Sequence, residues 1–423
     1  MKILLVFLVC LSNIFGQVEY SRKGGTAGQT PKFYIDIANY ASQDSGKSRI
    51  DVFIKIPYSN IQFIKSAFGY SAKYAVTVSL YDVDEENLKL EKQWNEKVNT
   101  QNFKQTESNS SFNISYKSIS IEPGEYKFVC KIEDLESRKY HPFEQKIKIR
   151  EFSEILDLSD IVLVSEFIET KDGTKIIPNI SNIVTSQDTS LSFFYELYIK
   201  KENNQNITYS IIDKEGNQLF KKDVVIDLKA GKNEIHETLQ NIKFALGDYQ
   251  IVVKVNDENF KILKGIAKKF YSKIFGFPTS IKDLDESVLQ MQYIATPDDI
   301  SFIDDGKNYE EKLSRFQNYW KKLDPSPNTL DNETLNEYYR RVEYANENFN
   351  GYFKGWRSDM GMVYITLGPP DQVTRRPYEI DSKPYEIWDY YILNRSFIFV
   401  DQTNFGDYRL ENPAYGDWFR YRP

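Results

Sequence analysis

The sequence contains little cysteine and histidine, with two residues of each among 423. This scarcity excludes zinc and iron–sulfur sites built from several Cys and His ligands, and we expect no metal or cofactor. Cys10 lies in the N-terminal apolar segment, so removal of that segment would leave Cys130 without a disulfide partner in the chain. Because Cys130 lies in an apolar run, we expect it to be a buried small hydrophobe.

The sequence also has fewer basic than acidic residues. Lys and Arg number 54 and Asp and Glu 61, which gives a net charge of -7. Proteins that bind nucleic acid need a basic face to displace phosphate counterions, so the acidic balance argues against a nucleic-acid partner. Hydrophobic residues at 41% and charged residues at 27% are ordinary for a globular protein and exclude disorder throughout.

Several catalytic signatures are missing. The sequence has no Gly-x-Ser-x-Gly elbow, phosphate-binding loop, dinucleotide glycine pattern or His-Glu-x-x-His pair. No residue is therefore assigned a catalytic role. These absences do not cover enzymes that use two carboxylates, for which Asp359, Asp371, Asp389 and Asp401 are candidates.

An apolar segment opens the chain, where Lys2 precedes the run Ile3 to Leu11 and a small residue follows. This order is typical of a cleaved signal peptide over residues 1–16 and is shorter than the ~20 residues that span a bilayer. A retained anchor and lipid attachment at Cys10 are the alternatives. We expect an exported protein in the periplasm, at the outer membrane or outside the cell. Residues 17–30 are predicted to be a flexible leader.

Period-2 alternation predicts β-strands through most of the first 270 residues, as in the Ile and Val positions of 50–57. Further strands are predicted at 74–83, 112–121, 126–132, 145–149, 161–167, 191–199, 207–213, 224–228 and 249–255. Short strands parted by turns such as 213–217 are typical of antiparallel sandwiches. We predict two tandem antiparallel immunoglobulin-like β-sandwiches, over residues 31–150 and 157–272.

The two predicted sandwiches share an internal repeat. Residues 122–134 (EPGEYKFVCKIED) and 245–257 (ALGDYQIVVKVND) agree in a Gly-acid-Tyr opening followed by alternating apolar residues. The glycine allows a turn, and Tyr126 and Tyr249 are predicted to hydrogen-bond back to the connecting backbone, as in the tyrosine corner of sandwiches. Binding of a ligand by these tyrosines is the alternative.

After residue 276 the apolar spacing becomes helical. One stripe contains Tyr309, Leu313, Phe316, Trp320 and Leu323. A second helix is predicted to begin after Asp331 or Asn332, and Thr296 followed by Pro297 predicts another helix start. Strand patterns return at 362–367, 385–391 and 397–400. Residues 277–423 are thus predicted to form an α+β domain, with helices in 282–350 and an antiparallel sheet in 360–411. The fold class is multidomain and mainly β.

The segment Gly355-Trp356-Arg357-Ser358-Asp359 resembles the signature of the GWxTD-domain family of exported bacterial proteins, with Ser358 in place of the signature threonine. Supporting blocks lie at 341–349, 367–371 and 385–390. The resemblance implies export, β-sandwich modules upstream and no established biochemical activity. A weaker likeness of 367–370 and 388–390 to small lipoproteins of the β-barrel assembly machinery is a hint of envelope assembly.

The signature residues have two interpretations. The first is structural: a set of turn, cap and core positions, namely Gly355, Trp356, Ser358, Asp359, Gly368, Pro369 and Trp388. The second is a binding groove, formed by Trp356, Arg357, Asp359, Asp371, Arg375 and Arg376, in which the last two arginines would meet an acidic partner.

Two hypotheses about function follow. The first is a non-enzymatic exported protein, in which the C-terminal domain binds an unidentified protein or glycan of the bacterial envelope. The second is a carboxylate-dependent hydrolase of envelope polymers, in which the sandwiches bind glycan. A purely structural scaffold is a third possibility. The high aromatic content, 15% of residues, is compatible with each, because exposed Tyr and Trp bind sugars and proteins well.

Overall fold

The computed structural model describes residues 33–83, 87–108, 111–152, 155–171, 173–327, 332–351, 353–376, 383–404 and 406–411. The predicted signal peptide and leader lie outside these residues. The described chain divides into two compact units, which run from Phe33 to Ser272 and from Lys273 to Glu411. Of the described residues, 52% lie in strands and 19% in helices, so the predicted mainly-β class is confirmed.

The first unit is built of strands with one short helix. The strands are β1 (Tyr34–Ala41), β2 (Ser48–Pro57), β3 (Ile64–Ser66), β4 (Gly69–Asp82), β5 (Leu88–Thr100), β6 (Phe112–Ile121), β7 (Gly124–Asp134), β8 (Tyr140–Ile149), β9 (Leu156–Leu158), β10 (Val162–Thr170), β11 (Gly173–Pro178), β12 (Ile183–Thr185), β13 (Ser190–Ile199), β14 (Asn203–Asp213), β15 (Gln218–Leu228), β16 (Gly231–Gln240), β17 (Gly247–Asn256) and β18 (Ile262–Lys273). The helix, α1, spans Phe103–Thr106.

These strands form four antiparallel sheets. The first two have the orders β1-β2-β6 and β3-β4-β7-β8, and β5 also pairs with β4. The other two have the orders β11-β10-β13-β16, with β9 on β13, and β12-β18-β17-β14-β15. The hairpin predicted at 213–217 is present, because β14 and β15 pair across it and the Asp213 N–H donates to the Asn217 carbonyl.

Each successive pair of sheets encloses one hydrophobic core. The first core includes Ile50, Val52, Ile54 and Ile56, all at most 1% exposed, which confirms the strand predicted from their alternation. Cys130 lies in the same core, as expected, and burial raises the pKa of its thiol. The second core is formed in the same way by residues of β9 to β18.

The repeated Gly-acid-Tyr segments form the hydrogen bonds that were predicted for their tyrosines. The Tyr126 hydroxyl donates to the Glu122 carbonyl at 2.9 Å, and the Tyr249 hydroxyl donates to the Ala245 carbonyl at 3.2 Å. Both tyrosines are 8% exposed and lie near the start of equivalent strands, β7 and β17. The two bonds tie the start of each strand to the preceding connection.

The two pairs of sheets meet in a mixed apolar and charged contact within the first unit. Ala38, Tyr40 and Phe53 pack with a second set of buried residues, Val162, Val164, Ile180 and Phe194. Lys268 and Asp36 form a buried ion pair at 2.5 Å, and neither residue is more than 3% exposed.

Further polar bonds join the same two halves. The Arg49 guanidinium bonds Glu196, at 2.9 Å. Asp160 bonds the Asn39 N–H at 3.0 Å and the Arg150 guanidinium at 2.8 Å. Because buried charged groups are paired across the contact, it has one favoured geometry, and residues 33–272 form one compact unit.

The second unit combines helices with a small sheet. Its elements are α2 (Leu284–Gln290), α3 (Pro297–Asp304), α4 (Tyr309–Lys322), α5 (Glu333–Asn348), α6 (Asp359–Leu367), β19 (Gln372–Arg376), β20 (Tyr385–Tyr390), β21 (Arg395–Asp401) and β22 (Tyr408–Leu410). The strands pair antiparallel in chain order. Among the described residues, no helix has the length and apolarity needed to cross a membrane.

The structure confirms the predicted helix starts but contradicts one predicted strand. Thr296 caps α3 with Pro297 at the first position, and Asn332 caps α5. Of the apolar stripe predicted for α4, Phe316 and Trp320 are at most 1% exposed, whereas Tyr309 is 38% exposed and Leu323 lies just after the helix. Residues 362–367 are helical, not a strand, so the predicted sheet over 360–411 begins instead at Gln372. Their apolar run is the sequence of a helix buried on nearly all sides.

The buried pair of Asp36 and Lys268 generates a stability prediction. Replacing Lys268 by Met leaves a carboxylate in the apolar contact and should lower the free energy of unfolding by about 3–5 kcal/mol. The double variant Asp36→Asn/Lys268→Met should lose clearly less, because it buries no unpaired charge. The exposed neighbour is the control: Lys269→Met should change stability by about 0.5 kcal/mol or less. Urea unfolding of the first unit measures all three. Equal losses in the single and double variants would contradict the prediction.

Candidate functional site

The signature segment forms a short 3-10 turn, Gly355–Arg357, followed directly by α6. Trp356 is 2% exposed, its backbone N–H donates to Asn346 Oδ1 at 3.0 Å, and its indole N–H donates to Glu286 Oε1 at 3.3 Å. The Tyr293 hydroxyl donates to the Trp356 carbonyl at 2.9 Å, and burial raises the pKa of Tyr293 to about 12, so this donor is neutral at physiological pH. Trp356 is thus a core residue.

Two glycines allow the turn to lie against its neighbours. A Cβ atom on Gly355 would lie 1.8 Å from the Ala345 carbonyl oxygen in α5. A Cβ atom on Gly361 would lie 2.0 Å from the Gly355 carbonyl oxygen. Side chains at either position would push α5, the turn and α6 apart, so the signature glycine is required by backbone contact.

Ser358 and Asp359 connect α6 to its surroundings. The Ser358 hydroxyl accepts from the Gly361 N–H at 2.9 Å and donates to the Gly355 carbonyl at 2.7 Å, which makes Ser358 the N-cap of α6. Asp359 Oδ2 accepts from the Leu410 N–H at 2.9 Å and so links the helix to β22. Ser358 thus caps the helix, whereas the Asp359 side chain bonds a distant strand and not the turn that it was predicted to cap.

The other predicted structural positions lie where α6 meets the sheet. Gly368 has a φ of 84°, and its carbonyl accepts from the Tyr390 hydroxyl at 2.7 Å. Trp388 is 3% exposed and donates its indole N–H to Glu386 at 3.2 Å. Pro369 is exposed in the connection to β19.

A groove of about 360 Å³ opens beside this contact, entirely within the second unit. Its walls come from the end of α5, the start of α6 and the strands β19, β20 and β22. Most of the lining is contributed by Tyr344, Asn348, Phe349, Asn350, Phe353, Ser358, Asp359, Met360, Tyr364, Pro370, Val373, Arg375, Glu386, Trp388, Asp407, Tyr408 and Arg409. The volume is suited to a few side chains of a bound segment or to a small ligand.

Of the six residues predicted to form a binding groove, Asp359 and Arg375 line it. The lining does not include the other four, Trp356, Arg357, Asp371 and Arg376. The Arg357 guanidinium lies over the Trp356 ring at 4.7 Å, and Asp371 accepts from the Tyr391 N–H at 2.7 Å in the β20–β21 hairpin. Arg376 is exposed at the end of β19.

Aromatic rings make up one wall of the groove. The rings of Tyr344 and Tyr364 stack with their centroids 4.2 Å apart, and Phe349 contacts the Trp388 ring at 5.3 Å. Phe353, by contrast, is 58% exposed at the opening. No sequence pattern marks these residues as a site, although the blocks 341–349 and 385–390 that contain most of them carry the family resemblance.

Charged side chains of both signs accompany the rings. Arg375 bonds Glu386 at 2.9 Å, and Arg409 bonds Asp407 at 3.0 Å. Burial, together with the carboxylates of Glu386 and Asp401, raises the pKa of the Tyr408 phenol. The phenol therefore stays neutral across the physiological range.

The acids proposed for a hydrolytic dyad do not converge. Of Asp359, Asp371, Asp389 and Asp401, the groove lining includes Asp359 alone. Asp389 bonds the Ser396 hydroxyl, and Asp401 accepts from the Gly406 N–H at 2.7 Å. Although burial alone would raise the pKa of Asp401, backbone and side-chain donors hold it below its usual value. In the described part of the chain, no three His, Cys, Asp or Glu residues are arranged to hold a metal ion.

One family model matches the C-terminal part of the chain. Residues 252–413 match the family model described as the GWxTD domain, and no curated protein matches the chain. Similar solved structures include red sea bream transglutaminase (8% identity, TM-score 0.18, 58% of this chain and 32% of that one). Another is a glycosyl hydrolase family 2 member from Bacteroides cellulosilyticus (9% identity, TM-score 0.21, 53% and 27%). A calcium-binding mutant of Bacteroides uniformis β-glucuronidase 2 is similar at 11% identity (TM-score 0.20, 55% and 27%).

The close contact at Gly355 predicts a strong effect of one methyl group. Gly355→Ala should lower the free energy of unfolding of the second unit by about 3 kcal/mol, because the Ala345 carbonyl must move. Gly351→Ala is the matched control, since a Cβ there meets nothing within 4 Å, and it should change stability by about 0.5 kcal/mol or less. Urea unfolding followed by circular dichroism distinguishes them. Equal stability of the two variants would show that the contact is not restrictive.

The capping role of Ser358 gives a second prediction. Ser358→Ala should lower the free energy of unfolding by about 1 kcal/mol, because the Gly361 N–H loses its acceptor. Ser358→Thr restores the family's signature residue, keeps the hydroxyl and should have less effect. Thermal unfolding of both variants tests this order. A destabilised threonine variant with an unaffected alanine variant would contradict it.

Proposed function

As a member of the GWxTD-domain family, this protein has a characteristic C-terminal domain, and we propose that its groove is a binding surface for a component of the bacterial envelope. In this proposal the protein is exported and non-enzymatic. The observation that carries it is the position of the signature segment. Ser358 and Asp359 line a groove that also contains exposed Phe353 and the edge-strand residues Val373 and Arg375.

The groove has the composition of a recognition surface. Exposed apolar groups lie at its opening, since Phe353 is 58% and Val373 40% exposed. Most of its other rings are held in the core, so their shape is fixed before a partner arrives, which lowers the entropic cost of binding. Arg375 and Glu386 provide polar groups beside the apolar ones, a mixture common at binding hot spots.

The two halves of the first unit would serve as a rigid support. We propose that residues 31–150 and 157–272 are tandem immunoglobulin-like sandwiches, followed by an α+β domain over 277–423. Support comes from the core enclosed by each pair of sheets and from the equivalent bonds of Tyr126 and Tyr249. The buried contact between the halves favours a single stiff module over two flexibly joined spacers.

Export is proposed from the first sixteen residues, whose order is that of a signal peptide. The periplasm, the outer-membrane surface and the extracellular medium are the three candidate locations. A fold held together by burial, with the cysteine of its described part reduced and buried, needs no disulfide to be stable there.

A hydrolase remains the second candidate, because Asp359, Glu386 and Asp407 place three carboxylates along one groove. Retaining and inverting glycosidases need only two. In that case the mature protein should release fragments from cell-wall or polysaccharide substrates, and Asp359→Asn should abolish the release.

Cross-linking from the native envelope tests the binding proposal. The full mature chain is the bait, and the groove variant Phe353→Ala/Val373→Ala is compared with a control, Leu289→Ala/Phe302→Ala, whose residues are exposed on α2 and α3 outside the lining. A partner cross-linked by wild type and control should be reduced about tenfold in the groove variant. Circular dichroism first checks that both variants are folded. Equal capture by all three proteins would refute the groove as the binding surface.

A further inference from the structure

We propose that the groove accepts a lysine or arginine side chain from an extended segment of a partner protein. This inference rests on the proposed binding function and adds the chemistry of the anchoring group. It differs from the expectation that Arg375 and Arg376 meet an acidic partner. The basis is the distribution of charge, exposure and aromatic rings in the groove.

The acidic groups of the groove are more enclosed than the basic ones. The Glu386 side chain is 14% exposed, whereas its partner Arg375 is 73% exposed. In the second pair, Asp407 is 23% and Arg409 42% exposed. Carboxylates thus line the interior and guanidinium groups lie at the rim. A cation that enters can approach Glu386 while the more exposed Arg375 moves into water, where its hydration offsets most of the lost contact.

Asp359 adds a carboxylate with unused capacity. Its Oδ2 atom accepts the Leu410 N–H, and no described residue bonds its other oxygen. A carboxylate offers about four acceptor positions, so Asp359 can bind a donor without losing its link to β22. The Asp359 backbone is held at the first position of α6 by the Ser358 cap, so the acceptor is oriented in advance.

The aromatic lining is suited to a cation with an apolar stem. Five rings, those of Tyr344, Phe349, Tyr364, Trp388 and Tyr408, border the same space as Asp359 and Glu386. The methylene stem of a Lys or Arg packs well on such an apolar surface, while its charged group can reach a carboxylate. An anionic ligand could meet Arg375 and Arg409 at the rim, but inside the groove it would face three carboxylates.

The surroundings favour a protein segment over a sugar. Trp388 and Tyr364 are at most 6% exposed, so neither offers the open ring face on which a sugar stacks. Beside them, β19 pairs only with β20 among the described strands, and its Val373 and Arg375 border the groove. An extended segment can follow such a sheet edge while alternate side chains enter the groove.

Short blocked peptides test the inference with the full mature chain. The probes are acetyl-Gly-Thr-X-Thr-Gly-amide with X as Arg, Lys, norleucine or Glu, measured by saturation-transfer NMR and titration calorimetry. The Arg and Lys peptides should bind about tenfold more tightly than the norleucine peptide, and the Glu peptide should bind least. Raising the salt concentration should weaken the first two more than the third.

Isosteric variants test whether the groove carboxylates cause the preference for a basic side chain. Asp359→Asn and Glu386→Gln keep side-chain size and one acceptor oxygen but remove the negative charge, and each should remove most of the preference for Arg over norleucine. Asp298→Asn, on α3 and outside the lining, is the control and should leave it unchanged. Equal affinity for Arg and norleucine, or a preference unaffected by both groove variants, would overturn the inference.

The outcomes separate this inference from the proposed function. If an envelope partner is lost in Phe353→Ala/Val373→Ala but retained by Asp359→Asn and Glu386→Gln, the binding function stands and the basic anchor is wrong. If capture is unaffected by Phe353→Ala/Val373→Ala and also by Asp359→Asn and Glu386→Gln, the binding function itself fails. Competition of the Arg peptide by neutral envelope oligosaccharides would point to a glycan occupant and also overturn the inference.

Discussion

The backbone contact between Gly355 and Ala345 is the constraint on which the second unit depends. A hydrogen in place of a side chain allows the 3-10 turn to lie on α5, and Gly361 lets α6 begin against the same turn. That arrangement puts Trp356 in the core and turns Ser358 and Asp359 toward the groove. The signature residues are therefore mainly architectural, and the groove exists because they pack so closely.

Some side chains both hold the fold together and line the proposed binding surface. Asp359 links α6 to β22 with one oxygen and also lines the groove. Glu386 accepts from the Trp388 indole and also from the exposed Arg375. Groups that hold the wall in place thus carry the charge that a partner would meet, which is why isosteric variants are more informative than deletions here.

In the first unit, a buried polar contact has a comparable organising role. The pair of Asp36 and Lys268 and the bonds around Asp160 are costly to bury and are satisfied in one arrangement of the two halves. Apolar contact alone would allow the halves to slide. The two repeats, similar in their tyrosine corners, are in this way joined into one compact body.

Local pattern was sufficient for much of the fold. Period-2 alternation predicted β2 and β6, and cap residues at Thr296 and Asn332 predicted helix starts, because these signals act within a few residues. The tyrosine corners followed from one repeated segment. Strands with mixed sequences, such as β5 and β18, and the continuously apolar α6 were missed or assigned wrongly, since burial on several sides depends on distant neighbours.

Residue spacing and short ordered blocks were enough to predict the β-rich class, the helical segment before residue 350 and the GWxTD domain. Tertiary structure alone decided which residues share a groove. Asp359, Arg375, Glu386 and Tyr408 come from four elements spread over about fifty residues, and no local signal relates them. It also decided that Arg357 and Asp371 point elsewhere, because each is held by a neighbour, the Trp356 ring and the Tyr391 N–H. Side-chain convergence is a property of packing, and packing is set by contacts far apart in the chain.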